Sequence, residues 1–308
     1  MKNIIKLIRT SKILLIIFYA LLTLRNIIRR NIVTTNLKTG NRVENSENII
    51  DYILLCNSFI KRSKIDFNKV NSALEIGPGD NLGLALSLIL DGINQIDVYD
   101  KYQSVENVKQ NNDIYETLYK KIGKEKASLK NAMFKISRLE TYKNKALFLP
   151  NLNKKKYDLI YSVSVLEHLW PAKEIIKELS GALNKNGIHI HVVNFTDHGM
   201  FSPEHNTFFF RSIPEWIYNP IMRPVGRPNR ILPSEFLDFF RELGFKVEIL
   251  PIKTHKTLLK DHDKRVENSI SDIELEEIKY VYGEDILGNK EKLIDLCTGS
   301  AILICKKL

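Results

Sequence analysis

Ser72-Ala73-Leu74-Glu75-Ile76 runs straight into Gly77-Pro78-Gly79, and an apolar helix is expected over residues 82–90. A short apolar strand, a glycine turn and a helix in that order open an alternating α/β chain. Glycines at the turn let the backbone bend sharply and let a ligand come close to the main chain. The helix start behind them offers unpaired N–H groups. A second strand, Ile96-Asp97-Val98-Tyr99-Asp100, ends on a carboxylate placed to accept hydrogen bonds from both hydroxyls of a ribose. The glycine spacing, Gly77-x-Gly79-x-x-x-Gly83, departs from the dinucleotide pattern G-x-G-x-x-G. Glu75, two residues before the first glycine, suits a cationic ligand better than a pyrophosphate.

The same alternation continues downstream. Tyr157-Asp158-Leu159-Ile160-Tyr161-Ser162-Val163 reads as a buried strand, and a helix follows over 172–183. Asn186-Gly187 signals a turn before the strand Ile188-His189-Ile190-His191-Val192-Val193. A loop rich in proline and aromatic residues spans about 195–232. A helix over 234–243 stops at Gly244, a strand covers 245–250, and a last strand covers 300–305. Strands alternating with helices imply a parallel sheet covered on both faces. A helix is also expected over 49–60, whereas residues 103–150 are polar and lysine-rich, with a helical look and no evident chemistry. The expected domains are residues 1–30, a basic and apolar helix; 31–70, a helical lead-in; and 71–308, the ligand-binding domain.

Composition narrows the function. The 308 residues are 44% hydrophobic and 27% charged, which excludes wholesale disorder and collagen-like or multi-pass membrane chains. Cys56, Cys297 and Cys305 form no C-x-x-C pair, so neither a disulfide framework nor a cysteine zinc site is expected. The net charge is +10, but Lys2, Lys6, Arg9, Lys12, Arg25, Arg29 and Arg30 supply seven of those charges within a stretch that holds no acid. The remainder is nearly balanced, so a nucleic-acid groove is not expected. Between Lys12 and Arg25 lies a run of twelve largely apolar residues, about 18 Å of helix against a hydrocarbon core of about 30 Å. Basic flanks without a small-residue cleavage site point to attachment at an anionic cytoplasmic leaflet. Packing on the protein's own body or on another subunit is the alternative.

Taken together, these motifs resemble those of the class I S-adenosylmethionine-dependent methyltransferases. Leu74-Glu75-Ile76-Gly77-Pro78-Gly79 is similar to that family's first motif, and Asp100 to the acid closing its second strand. Tyr157-Asp158-Leu159-Ile160-Tyr161-Ser162, with Val165-Leu166-Glu167-His168-Leu169, resembles its fourth-strand motif. Ala182-Leu183-Asn184-Lys185-Asn186-Gly187 matches the turn before its fifth strand. The resemblance covers about residues 70–250. It implies a Rossmann-like doubly wound sheet, mostly parallel with an antiparallel last strand, and S-adenosyl-L-methionine as cofactor. It further implies that Gly77, Pro78 and Gly79 line the methionine end, Glu75 sits near the amino group, Asp100 holds the ribose, and Ser162 borders the cofactor. The adenine contact normally follows the third strand and has no evident counterpart here.

Residues after the fourth and fifth strands would lie over the transferred methyl. His198, with Asp197 beside it, is the first choice for a base, followed by His168 and His205. A metal is not expected: His189 and His191 share one strand face, yet with His198 and His205 they show no ligand spacing. Phe208-Phe209-Phe210, Trp216 and Tyr218 either roof a substrate pocket or form core. The Asp197-His198 loop, Asn229-Arg230 and Gly244-Phe245 look like those of enzymes that methylate sugars or glycan precursors. An O-methyltransferase of a glycan or lipid-linked glycan, held at the inner face of the cell membrane, is therefore expected. The alternatives are a methyltransferase of a quinone or membrane lipid, and an inactive partner subunit.

Overall fold

The computed structural model describes residues 11–32, 46–100, 108–138, 155–201, 205–259 and 265–308. Its strands are β1 (Ser72–Ile76), β2 (Gln95–Tyr99), β3 (Ile136–Arg138), β4 (Tyr157–Val163), β5 (Leu183–Asn194), β6 (Phe245–Thr254) and β7 (Thr298–Lys307). They form one sheet in the order β3-β2-β1-β4-β5-β7-β6, in which β7 alone runs antiparallel to its neighbours. This is the expected doubly wound sheet with an antiparallel last strand. From β1 the chain steps outward through β2 to β3, then crosses back to β4. The direction of winding therefore reverses between β1 and β4, and the carboxyl ends of these strands open a crevice there.

Alternation along each strand divides the core between two faces. Ala73, Ile96, Leu159, Ile190 and Ile302 face one layer, while Leu74, Ile160, Val193 and Leu303 face the other. Helices α2 (Ser46–Lys61), α3 (Gly83–Leu90), α4 (Val108–Lys121) and α5 (Lys126–Phe134) cover the first. Helices α6 (Ala172–Gly181) and α9 (Pro233–Glu242) cover the second. Ile50, Ile53, Cys56 and Ile60 recur at helical spacing and bury α2 in the main core. The described part of the lead-in is thus integral to the large domain.

Three local features depart from the expected elements. β5 begins at Leu183, and Asn186-Gly187 is a bulge within it: Tyr157 pairs with Leu183, but Leu159 pairs with Ile188. β3 is a three-residue edge strand, too short to leave an alternation in the sequence. The Phe208–Tyr218 aromatics divide, with Phe208, Phe210 and Tyr218 in the core and Trp216 78% exposed.

Helix α1 (Lys12–Ile32) lays Leu15, Tyr19 and Thr23 on Met200, Phe201, Phe210, Ile213, Tyr218 and Met222. Those residues come from the loop after β5, from α7 (Phe209–Ser212) and from α8 (Glu215–Met222). Packing on the body, the alternative to membrane attachment, is thereby realised for one face. No helix among the described residues is long and apolar enough to cross a membrane. The C-terminal part adds α10 (Asp272–Tyr282), capped by a reciprocal Ser271–Glu274 pair, and α11 (Lys290–Cys297).

At Gly299 the β6 and β7 backbones touch so closely that a Cβ would overlap the Thr254 carbonyl. Because neither backbone can move without breaking the ladder, Gly299→Ala should lower stability by about 1–3 kcal/mol. A shift of the urea midpoint at constant m-value checks this.

Candidate active site

The glycine turn is built by β1 and locked by its neighbours. Gly77 and Gly79 sit at φ +66° and +71°, where a side chain is strained, and the Gly77 N–H donates to the Tyr99 carbonyl at 2.8 Å. A Cβ on Gly77 would come within 2.7 Å of Val165 Cγ2, whereas one on Gly79 would point into open space. The Gly79 N–H donates to Asp100 Oδ2 at 3.3 Å, which brings the turn and the end of the second strand together. From α4, Asn111 donates to the Asp80 carbonyl at 3.1 Å and the Tyr115 hydroxyl accepts from Leu82 N–H at 2.8 Å. The helical region without evident chemistry therefore closes over the turn. The segment after β3, where the adenine contact is expected, falls mainly in residues 139–154 and lies outside the described residues.

Glu75 is buried beneath the turn and accepts a hydrogen bond from the Tyr161 hydroxyl at 3.1 Å. Burial raises its carboxyl to about 8, opposed by the tyrosine bond and aided by the nearby Asp100 charge. A cation brought to this carboxyl would let it ionise. A glycine with open space before it, a carboxylate at the end of β2 and a desolvated acid below suit the backbone, ribose and ammonium of the expected cofactor. Ser162 is placed otherwise. Its hydroxyl is fully buried 2.8 Å from His191 Nδ1, and a chain of contacts continues through His189 to Ser180. Expected at the border of the cofactor, Ser162 is spent on this interior network because strand alternation turns it from the face that Tyr161 occupies.

The segment after β4 lies at the same edge of the sheet. Val165 packs on Gly77, and two residues later Glu167 and His168 form a turn of 3-10 helix. Asn229 pins that turn: its side chain donates to the Leu166 and Leu169 carbonyls at 2.8 and 3.1 Å, and its N–H donates to the Glu167 carbonyl at 2.6 Å. After β5, His198 adopts φ +55°, which is uncommon for a residue with a Cβ. The His198 ring lies edge-on to His168, with centroids 4.8 Å apart, and its Nε2 is 3.7 Å from Glu167 Oε1. Glu167 Oε2, His168 Nδ1 and His198 Nε2 are buried and have no hydrogen-bond partner among the described residues.

Their charge states follow from burial. Desolvation raises the Glu167 carboxyl to about 8, against hydrogen bonds from its own backbone and from Asn194. Desolvation lowers His168 to about 4, helped by His198 and only partly offset by the Gly226 backbone. His198 is also lowered by burial, opposed by its bond to the Asn194 backbone. Near neutrality both rings are neutral. With one His198 nitrogen engaged by Asn194, Nε2 is left with its lone pair toward Glu167.

Two other expected site residues are placed differently. The Asp197 carboxylate accepts from Gly199 N–H at 2.9 Å and Phe201 N–H at 2.8 Å, which shapes the loop, and its charge favours the protonated form of His198. An acid two or four residues before a free N–H closes a turn more readily than it reaches the next side chain. His205 packs beside Phe209, with centroids 5.9 Å apart, in the aromatic layer under α1 and away from the cluster. Tyr52 of α2 was not singled out, yet its hydroxyl hydrogen-bonds Ser164 and feels the Glu167 charge. Only the strand crossing between them brings these residues together.

Glu167, His168 and His198 could also hold a metal ion, each offering one ligand atom and all three atoms lying within 4.8 Å of one another. The sequence pattern did not suggest this set, whose members come from two different loops. One ion about 2.1 Å from each ligand needs pairs no farther apart than about 4.2 Å. Glu167 Oε1 and His198 Nε2, 3.7 Å apart, lie within that limit.

No family model matches the chain, and no curated protein matches it. Solved structures with similar chain paths include an O-methyltransferase family protein from Burkholderia thailandensis, 10% identical, with a TM-score of 0.46 over 96% of this chain and 72% of that one. A SAM-dependent methyltransferase from Archaeoglobus fulgidus is 17% identical, with a TM-score of 0.43 over 83% and 94%. The cyclase SpnF is 16% identical, with a TM-score of 0.43 over 94% of each chain. Such likeness concerns the path of the chain and leaves the reaction to the site itself.

Proposed function

We propose that the chain is an S-adenosylmethionine-dependent methyltransferase that O-methylates a sugar or glycan precursor, with His198 as the base. The observation that carries this reading is the shared crevice. The Gly77–Gly79 turn, bonded to Asp100 after β2, and the Glu167–His168–His198 cluster, from the segments after β4 and β5, lie at the carboxyl ends of these strands and are joined where Val165 meets Gly77. S-adenosylmethionine, when bound, supplies a methyl group already activated on a sulfonium. The chain must align the acceptor, exclude water and remove one proton. His198 Nε2 takes that proton as the acceptor oxygen bonds the methyl carbon, and Asn194 keeps the ring in the required tautomer. Glu167 stabilises the resulting imidazolium once its own carboxyl is ionised. A hydroxyl acceptor gives this cluster its task. The sugar class rests on the likeness of Asp197-His198, Asn229-Arg230 and Gly244-Phe245 to sugar-methylating enzymes.

Asp100→Ala should weaken S-adenosylhomocysteine binding by about 1–3 kcal/mol, the cost of charge-assisted hydrogen bonds. Calorimetry on the folded variant checks this, and unchanged affinity would remove Asp100 from the site. Incubation with methyl-labelled cofactor then separates the products. Labelled glycan supports the reading, labelled quinone or lipid supports the other enzymatic one, and no labelled product supports an inactive partner subunit.

A further inference from the structure

We infer that α1 is a peripheral anchor that docks in the plane of an anionic lipid surface and carries the acceptor loop to it. The helix has two apolar sides. Its inner side is committed to the body through Leu15, Tyr19 and Thr23. Along its outer side Ile13, Leu14, Ile17, Phe18, Leu21 and Leu24 stand exposed, Ile13 by 71% and Leu21 by 59%. Their spacing follows the helical repeat, so they form one stripe instead of scattered surface residues.

Charge selects the occupant. Lys12 and Arg25 bracket the stripe, and residues 1–30 hold seven basic residues and no acid. A second copy seated on the stripe would set that charge against its own like. An anionic lipid surface turns the same charge into attraction. Trp216, 78% exposed on the neighbouring α8, and Tyr280, 75% exposed with its ring 5.4 Å from Lys12 Nζ, are residue types favoured at headgroup depth. A helix fixed to protein along one side lies in the interface and does not traverse it.

The anchor also touches the acceptor side. The Tyr19 ring lies 6.1 Å from that of Phe201, whose N–H is held by Asp197. Arg227 sits 5.3 Å over Tyr19, and its charge acts on both His168 and His198. Docking α1 therefore places the loop carrying His198 beside the membrane, where an acceptor borne on a lipid is within reach. That last step rests on the methyl-transfer reading; the docking does not.

Sedimentation of the full chain with phosphatidylcholine vesicles, with or without one quarter phosphatidylglycerol, tests the inference. The chain should pellet with the anionic vesicles at low salt, bind the neutral ones more weakly, and be released as salt rises. Ile17→Asp with Leu21→Asp, both at exposed positions, should reduce anionic-vesicle binding at least roughly tenfold with S-adenosylhomocysteine affinity unchanged. Failure of the full chain to pellet with anionic vesicles at low salt overturns the proposal. So does a dimer in light scattering that the double variant splits, since a second copy then covers the stripe. A chain that binds vesicles but transfers no label supports the docking and refutes only the methyl-transfer reading.

Discussion

His198→Ala should lower turnover roughly 10²–10⁴-fold while leaving S-adenosylhomocysteine affinity unchanged, since the ring's contacts are with Glu167, His168 and Asn194. His198→Asn should not restore activity, because an amide cannot accept the proton. Glu167 acts through His198, and its signature is therefore a pH profile. Its carboxyl is held up at about 8 by burial, so the rate should climb as pH rises through that region and the imidazolium gains an ionised neighbour. Glu167→Gln should remove that limb and lower turnover less than His198→Ala does. If His198→Ala keeps near-normal turnover while His168→Ala does not, the other ring of the pair is the base. If a chelator abolishes activity and a divalent ion restores it, the cluster closes on a metal and His198 is a ligand.

The glycine turn was legible in the sequence because it is local. Glu75, Gly77, Gly79 and Asp100 belong to one strand-turn-helix-strand unit, and their nearness follows from spacing within it. The Glu167–His168–His198 cluster is assembled from loops about thirty residues apart, and no local motif announces it. Asp197 adjoins His198 in the chain, but it is drawn to the N–H groups of Gly199 and Phe201. Glu167 reaches His198 only because β4 and β5 lie side by side. Ser162 shows the same limit at shorter range. The motif places it at the right edge of the sheet, while the pleat turns its hydroxyl into the His191–His189 network. Tyr52 carries no motif at all and enters the site through the way α2 packs on α3.

Edges and bulges were the least legible parts of the fold. β3 spans three residues, below the length at which alternation is visible, and Asn186-Gly187 sits within a strand because the β4–β5 register slips there. The N-terminal helix was recognisable from its apolar run. Its division into a buried and an exposed side depends on the aromatic layer of α7, α8 and the loop after β5.

Stability should peak near pH 6.5 and fall on both sides. Burial lowers His168 to about 4 and His191 and His255 to about 3, and holds His189 well below its ordinary value. In the unfolded chain these rings titrate near 6.5, so below that pH the unfolded state binds protons that the folded state refuses, and stability drops with falling pH. Glu75 and Glu167 work in the opposite sense. Held up to about 8 in the fold and near 4.5 outside it, they keep protons that the unfolded chain releases, and their contribution is lost as pH rises between those values. From about pH 4.5 to 6.5 four histidines outweigh two carboxyls. Above 6.5 the histidines are neutral in both states and only the carboxyls act. Each imbalance amounts to two protons, on the order of 2–3 kcal/mol per pH unit before relaxation of the buried groups reduces it. Urea midpoints at about pH 5, 6.5 and 8 should therefore be highest in the middle. Glu167→Gln, neutral at every pH, should roughly halve the alkaline slope, where Glu75 still acts, and steepen the acid one, where Glu167 no longer offsets the histidines. A midpoint unchanged between about pH 5 and 6.5 would mean that the buried histidines take up protons without unfolding, in which case the His189–His191 network is open to water.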